Sequence, residues 1–366
     1  MSCHLRIGFV LVVLSAVLAN YARGQSEETI SCHKDLSVRP VVLDDGWALM
    51  DSSGKILVSE RYSSSDEFSD GLFLFGTSDG WEYIDPTGKK VLTLRNKFIA
   101  WGFSEGLAAA SDKSGKYGFI DKTGRAVIPK NFEMPRMFNE GLAAVEVDGS
   151  WHYIDRTGQI VISPKYEGQV VLFAGDFHSD RARIVIGASK NGDSRWGFID
   201  RTGKWAIAPT FQGADDFYGE LAAVQIGKKW GFIDSSGQVR IPATFVSVGS
   251  APFNPGSAAV GIEDAAGVKH GFIDASGAWV VQPDFSDARH FCDGLAPVKV
   301  KDRWGYIDAT GVFVVQPQFA DAQAFDGGVA SVVVIDKQGR MHSAYIDTKG
   351  LVLWQSSGEV TFIRVD

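Results

Sequence analysis

Nine aspartates, Asp51, Asp85, Asp121, Asp155, Asp200, Asp234, Asp274, Asp308 and Asp347, each stand three residues before a glycine. Evenly spaced carboxylates raise the question of a metal ladder. A calcium loop gathers several oxygen ligands within one short segment. Here a single Asp recurs among Lys, Arg, Ser and Thr, so no metal site is implied. The spacing has a mechanical reading instead. Asp at the first position of a type I turn bonds the backbone ahead of it, and Gly at the fourth takes a positive φ. Pro86 in "DPTG" sits where such a turn prefers proline. The nine motifs therefore read as hairpin turns, with Gly237 expected at positive φ.

The other reactive side chains do not assemble into a catalytic pattern. The histidines are His4, His33, His152, His178, His270, His290 and His342, and none pairs with Cys or His at metal-ligand spacing. "CHKD" (32–35) and "RHFCD" (289–293) bring Cys and His together, but a Cys nucleophile needs a placed base and a lowered pKa. "SSSDE" (63–67) and "GTSDG" (76–80) are Ser-rich without forming a G-x-S-x-G elbow. The glycines follow turns, so no phosphate loop is implied. Asp215 and Asp216 read as local loop charges. A glycosidase pair assembled across repeats stays open. Catalytic residues, metal ligands and cofactors are thus all read as none.

These residues sit in a repeat. The intervals between the nine aspartates are 34, 36, 34, 45, 34, 40, 34 and 39 residues. A fixed period of this size signals a solenoid, propeller or related array. Each unit has three strand-like pieces: "GLAAV" (141–145), "WGFID", and a run after the Gly such as "QVRIP". β-branched and aromatic residues dominate, Gly, Asp, Ser and Lys separate them, and no 3.6-residue apolar stripe runs through. The chain reads as all-β. Trp196, Trp230 and Trp304 lead an aromatic column that shares a strand face with Phe198, Phe232 and Tyr306. These tryptophans are expected in the core. The Gly beside each lets a neighbouring backbone come close.

"WGFID", "GLAAV" and the surrounding Phe residues resemble the WG β-repeat family, also called KWG repeats, over residues 42–355. That family is mostly bacterial, often exported or joined to other domains. The resemblance implies a repeat scaffold for binding and no shared reaction. A propeller blade takes four strands and about 40–45 residues. Three strands in 34 residues favour an open, twisted or superhelical, solenoid-like array of nine repeats, with a closed propeller-like ring as the alternative. In an open array Cys32 and Cys292 lie tens of ångströms apart, so both thiols are expected free.

The ends and the charge set the address. Residues 1–24 hold Arg6, the apolar run "IGFVLVVLSAVLA" (7–19) and small residues Ala22 and Gly24. That is the layout of a secretory signal peptide, and the run is too short for a membrane span. Residues 25–41 read as a lead-in and 42–366 as the repeat domain. Losing Arg6 and Arg23 takes the net charge from −8 to −10. An acidic chain without a basic stripe is a poor partner for nucleic acid. The expected location is secreted or periplasmic, with no membrane insertion after cleavage.

Irregular repeats point to a surface. Three hairpin tips are long: "ASKNGDSR" (188–195), "EDAAGVKH" (263–270) and "DKQGRMH" (336–342). All join the same two strands, so stacking places them along one edge, and insertions gathered on one face mark binding surfaces. The candidate binding residues are Asn191, Asp193, Arg195, Asp264, Lys269, Lys337 and Arg340. The expected function is a non-catalytic exported scaffold for a protein or a cell-wall glycan. A carbohydrate hydrolase with carboxylates across repeats and a protein that caps a partner are the alternatives.

Overall fold

The computed structural model describes residues 37–357, apart from 66–67, 96–98, 112–113, 188–193, 250–252, 254–255 and 266. Within them lie eight four-stranded antiparallel sheets, each a meander in chain order, and one two-stranded sheet. The sheets are the blades of a β-propeller. Blades 1 to 8 span residues 64–94, 99–132, 134–162, 170–211, 213–245, 247–285, 287–319 and 321–355. Blade 5 displays the pattern: Gly213–Tyr218, Leu221–Ile226, Lys229–Asp234 and Val239–Phe245. Its second strand is buried through Leu221–Val224, while Val239 on the fourth is 46% exposed. The first strand therefore lies toward the axis and the fourth at the perimeter.

The two-stranded sheet, Val38–Leu43 paired with Gly46–Asp51, closes the ring. Its Val41, Leu49 and Met50 share one core with Phe73 and Phe75 of blade 1 and with Val329 and Tyr345 of blade 8. Val42 N donates to Tyr345 Oη at 2.7 Å, and Ser357 N and Oγ donate to the Asp44 carboxylate. The open array expected from the sequence is thus overturned in favour of the ring. The strand count is the reason. Six of the eight first strands are only two residues long, such as Asp287–Ala288. A whole blade therefore fits a 34-residue period. The closing sheet also begins at Val38, inside the stretch read as lead-in.

The expectation of two free thiols is corrected as well. Cys292, in the turn between the first two strands of blade 7, is disulfide-bonded. The other cysteines of the chain, Cys3 and Cys32, lie outside the described residues.

The Asp-x-x-Gly turns form as read. Asp234 Oδ1 accepts from Ser236 N at 2.9 Å, Ser236 Oγ at 2.6 Å and Gln238 N at 3.0 Å, and Gly237 has φ +84°. The Trp-Gly pair has an equally local cause. In blade 5 Trp230 faces Phe245 and Phe232 faces Ile241, so the fourth strand carries extra residues against the third. That bulge crosses Gly231, where a Cβ would lie 2.7 Å from Ile241 O and from Ala243 N. Of the column tryptophans, Trp304 is buried at 3% exposure, but Trp196 and Trp230 are only half-buried. They cap the cores of their blades rather than lying within them.

Candidate functional site

In a four-stranded meander the second-to-third hairpins of all blades emerge on one face of the ring. The three long tips belong to blades 4, 6 and 8, so they are spread around a rim and not ranged along one edge. Asn191 and Asp193 lie outside the described residues. Arg195 is half-buried at the start of its strand, donating to Ser194 O at 3.1 Å. Asp264 is exposed at the end of Ala258–Asp264, and Lys269 is half-buried in Gly267–Ile273. Lys337 is exposed, while Arg340 is tied to Asp336 at 2.7 Å. Asp336 also accepts from Gln338 N and Arg340 N, so this tip repeats the turn chemistry of the nine anchors.

The opposite face is occupied by its own connections. Its turns carry Asp70, Glu105 and Glu140 at positive φ. Asp70 accepts from Gly106 N at 2.6 Å, Glu105 from Gly141 N at 3.1 Å, and Glu140 from Ser179 N at 2.6 Å. Each carboxylate thus latches its blade to the next. Lys122, Arg156 and Arg201 pair with the same three acids. These three acids are therefore bound to the ring itself.

A third cluster, toward the axis, was not legible as such in the sequence. Asp215 and Asp216, read as loop charges, lie in Gly213–Tyr218, the first strand of blade 5. They face Arg183 of blade 4, which is 1% exposed and approaches Asp216 at 3.4 Å and Asp215 at 3.8 Å. Arg183 also donates to Ala214 O at 2.7 Å and lies between the rings of Phe173 and Trp196. Next to it Arg136 of blade 3 makes a two-pronged contact with Asp176, 3.0 and 3.2 Å. Burial pushes the Asp215 carboxyl up, against the pull of Arg183 and with the help of Asp216. A carboxyl held toward its neutral form beside an ionised one is the starting point of acid–base chemistry. Here, however, Asp176 and Asp216 are each committed to a guanidinium, which leaves no free carboxylate for the second role. The signal that could have exposed the cluster is Arg183 itself, which stands where "GLAAV" has Ala144 and Ala223. Among the described residues no group of His, Cys, Asp and Glu could hold a metal ion.

The aromatic column two residues after the tryptophans offers no open groove. Tyr153, Phe198, Phe232 and Tyr306 are buried to 1% or less, and the tyrosines among them donate to the next blade, Tyr153 to Gly175 O and Tyr306 to Gln323 O.

Residues 117–151, 153–188, 196–230, 230–254, 271–304 and 304–337 match the family described as WG containing repeat, together just over half of the chain. None of the curated proteins matches. Among solved structures, that of a eukaryotic initiation factor is similar at 13% identity, over 88% of this chain and 96% of that one, with a TM-score of 0.62. Dipeptidyl peptidase 4 of Porphyromonas gingivalis is similar at 9% identity, over 97% of this chain and 62% of that one, with a TM-score of 0.53. At such identities the likeness is one of fold.

Proposed function

The chain belongs to the family of WG-containing repeats, and from that premise we propose that it is an exported, non-catalytic propeller scaffold that binds a protein or cell-wall glycan through the rim of second-to-third-strand hairpins. One observation carries the reading: the groups with chemical potential are consumed by the fold. The turn aspartates bond their own backbones, the opposite-face acids latch blades, and the axial carboxylates pair with Arg136 and Arg183. What remains for recognition is the rim, where hairpin lengths vary. Export is supported by the signal-like first 24 residues. It is supported also by the disulfide at Cys292, since such bonds persist in oxidising compartments.

The test is affinity capture by the chain without residues 1–24 from its own cell-envelope and secreted fractions, with protein and glycan readouts. A partner that is retained by the native chain and lost by the triple variant Arg195→Glu, Lys269→Glu, Lys337→Glu supports the rim. Retention by that variant would remove the rim from the proposal. Turnover of a polysaccharide that disappears in Asp215→Asn would replace the scaffold with the hydrolase.

A further inference from the structure

The cations of the two faces differ in what they touch. On the face opposite the rim, Lys122, Arg156 and Arg201 are held by the latch acids at 3.2, 3.4 and 3.4 Å. On the rim, Lys228 of blade 5, Lys269 of blade 6, Lys299, Lys301 and Arg303 of blade 7 and Lys337 of blade 8 form no ion pair among the described residues. Lys228, Lys301, Arg303 and Lys337 are exposed, and Lys269 and Lys299 are half-buried. Beside them Lys229 pairs loosely with Glu263, at 3.9 Å, and Arg340 closes its own turn on Asp336.

Around the ring these charges separate into two arcs. The hairpins can be compared from the residue opposite the column aromatic to that aromatic. Over blades 5 to 8 the described residues of these hairpins include eight cations, the six above with Lys229 and Arg340. Against them stand four acids, Glu263, Asp264, Asp302 and Asp336. From the closing sheet, whose hairpin carries Trp47, through blade 3 there are five acids, Asp44, Asp45, Asp79, Glu146 and Asp148, and one cation, Lys116. Half of the rim is thus locally positive in a chain whose net charge is −8. The arc leaves no basic stripe in the sequence. Lys228 and Lys337 lie three repeats apart, and only the ring puts their hairpins on one face.

We propose that this basic arc binds a polyanionic glycan, a sugar chain with recurring carboxylate or phosphate groups, laid across the tips of blades 5 to 8. A local concentration of one charge attracts ligands of the opposite sign whatever the sign of the whole chain. A protein partner would be anchored mainly by aromatic side chains and Arg seated in pockets. Among the described residues no aromatic is an exposed large apolar side chain, and on this arc only Ile226 and Val268 are. Lysines outnumber Arg303 among the unpaired cations. They are compact point charges on flexible stems, which suits anions spaced along a chain better than a single bidentate group. Cations spread over four hairpins also call for a ligand that is itself extended. The inference rests on the scaffold reading and narrows its ligand.

Calorimetric titration of the chain without residues 1–24 tests it. The ligands are oligogalacturonate, which carries carboxylates, and a phosphomannan oligosaccharide, which carries phosphates. Cellohexaose and a single-stranded oligodeoxynucleotide of equal charge are the comparators. Saturable binding of an anionic glycan is expected, weakening as salt rises because exposed charges are screened. The glycan that binds more tightly assigns the anion. The triple variant Lys228→Glu, Lys301→Glu, Arg303→Glu changes only exposed positions and should keep its melting temperature. It should weaken binding by about tenfold or more, the scale on which a local field concentrates a ligand. Asp79→Ala, on the acidic arc, should not weaken it. Indifference to the triple variant, an equal loss in Asp79→Ala, or cellohexaose or the oligodeoxynucleotide binding as tightly as the anionic glycans overturns the assignment. So does the absence of anionic-glycan binding by the native chain. If envelope capture still returns a rim-dependent protein partner in that case, the glycan arc fails while the scaffold stands.

Discussion

Gly54 packs against Leu353: a Cβ on Gly54 would lie 3.2 Å from the Leu353 carbonyl oxygen and 3.3 Å from its Cβ. The two residues are at opposite ends of the repeat region, yet their contact is the one that joins neighbours elsewhere. Gly237 meets Ile207, Gly277 meets Ile241, Gly311 meets Val281 and Gly350 meets Val315, always a turn glycine against a fourth-strand aliphatic of the preceding blade. The seam of the ring is thus built like its other joints. A solenoid would leave Leu353 and Gly54 facing solvent, each at its own end.

The seam can be tested by comparing two glycines. Gly54 has φ +86° and a crowded Cβ position, while Gly141 has φ +79° and nothing within 4 Å. Alanine at either pays the strain of a positive φ, roughly 1–3 kcal/mol. Only Gly54→Ala should lose more, because it also pushes on blade 8. Equal losses in denaturant midpoint for the two variants would mean that the Gly54–Leu353 joint contributes nothing.

Gly231→Ala should be more damaging than either. Its Cβ would meet backbone atoms, Ile241 O and Ala243 N at 2.7 Å, which no rotamer change relieves. Overpacking of this kind costs about 1–3 kcal/mol. Here it also threatens the bulge that sets Trp230 against Phe245. A variant melting within about 0.5 °C of the native protein, roughly 0.4 kcal/mol or less for a ring of this size, would show that the fourth strand yields easily.

How much of this was legible in the sequence follows physical lines. Asp234 and Gly237 were readable because turn chemistry is local, set by four consecutive residues. The Trp-Gly-Phe strand was readable because alternation and Gly both have short-range meaning. Closure was not, because it depends on the first strands, and a two-residue strand such as Asp287–Ala288 leaves no periodic trace. Asp215 and Asp216 were misread for a related reason. Two adjacent carboxylates look solvated until a guanidinium some 30 residues upstream, Arg183, is brought against them by blade packing.

Acid should loosen the ring through its turns. The hydroxyls of Thr123, Thr157, Thr202, Ser236, Ser276 and Thr310 bond Asp121, Asp155, Asp200, Asp234, Asp274 and Asp308 and hold these carboxyls below the usual range, Asp234 at about 2. An unfolded Asp titrates near 3.9. With folded values depressed, the unfolded chain binds more protons in acid. This stability is therefore complete above about pH 5 and is lost as pH falls through 4 toward 2. Asp215, pushed up, opposes the trend. Melting temperature measured from pH 6 to 2 should fall, and the fall should shrink when Thr202, Ser236 and Ser276 are replaced by Ala. An unchanged slope in that variant would remove the hydroxyls as the cause.

Arg183 is the position where one substitution strands the most charge. Arg183→Ala restores the residue of the other "GLAAV" strands but leaves Asp216 buried and Asp215 partly so, without their cation. Breaking a buried pair in this way costs about 3–5 kcal/mol. Adding Asp215→Ala and Asp216→Ala should return most of the loss, because the uncompensated charge goes with them. A triple variant no more stable than Arg183→Ala would shift the role of Arg183 to its stacking between Phe173 and Trp196.

Cys292 of blade 7 is disulfide-bonded, and the other cysteines of the chain, Cys3 and Cys32, lie outside the described residues. If residues 1–24 are removed on export, Cys32 is the remaining choice. Its neighbourhood agrees: Arg39, seven positions on, donates to Val329 O in blade 8, and seven residues of extended chain reach roughly 23–25 Å. Such a bond would cross the seam from outside and restrain its opening. In the chain-entropy view closing so long a loop would stabilise by somewhat more than the ~4.7 kcal/mol of a 100-residue loop, and disulfides in general contribute about 2–4 kcal/mol. The mature protein, denatured without reductant, should therefore give no titratable thiol. Non-reducing peptide maps should join Cys32 to Cys292, and reductant should lower the melting temperature. Two free thiols in the oxidised, exported protein would leave the seam held by its non-covalent contacts, and would withdraw the disulfide as support for an oxidising compartment.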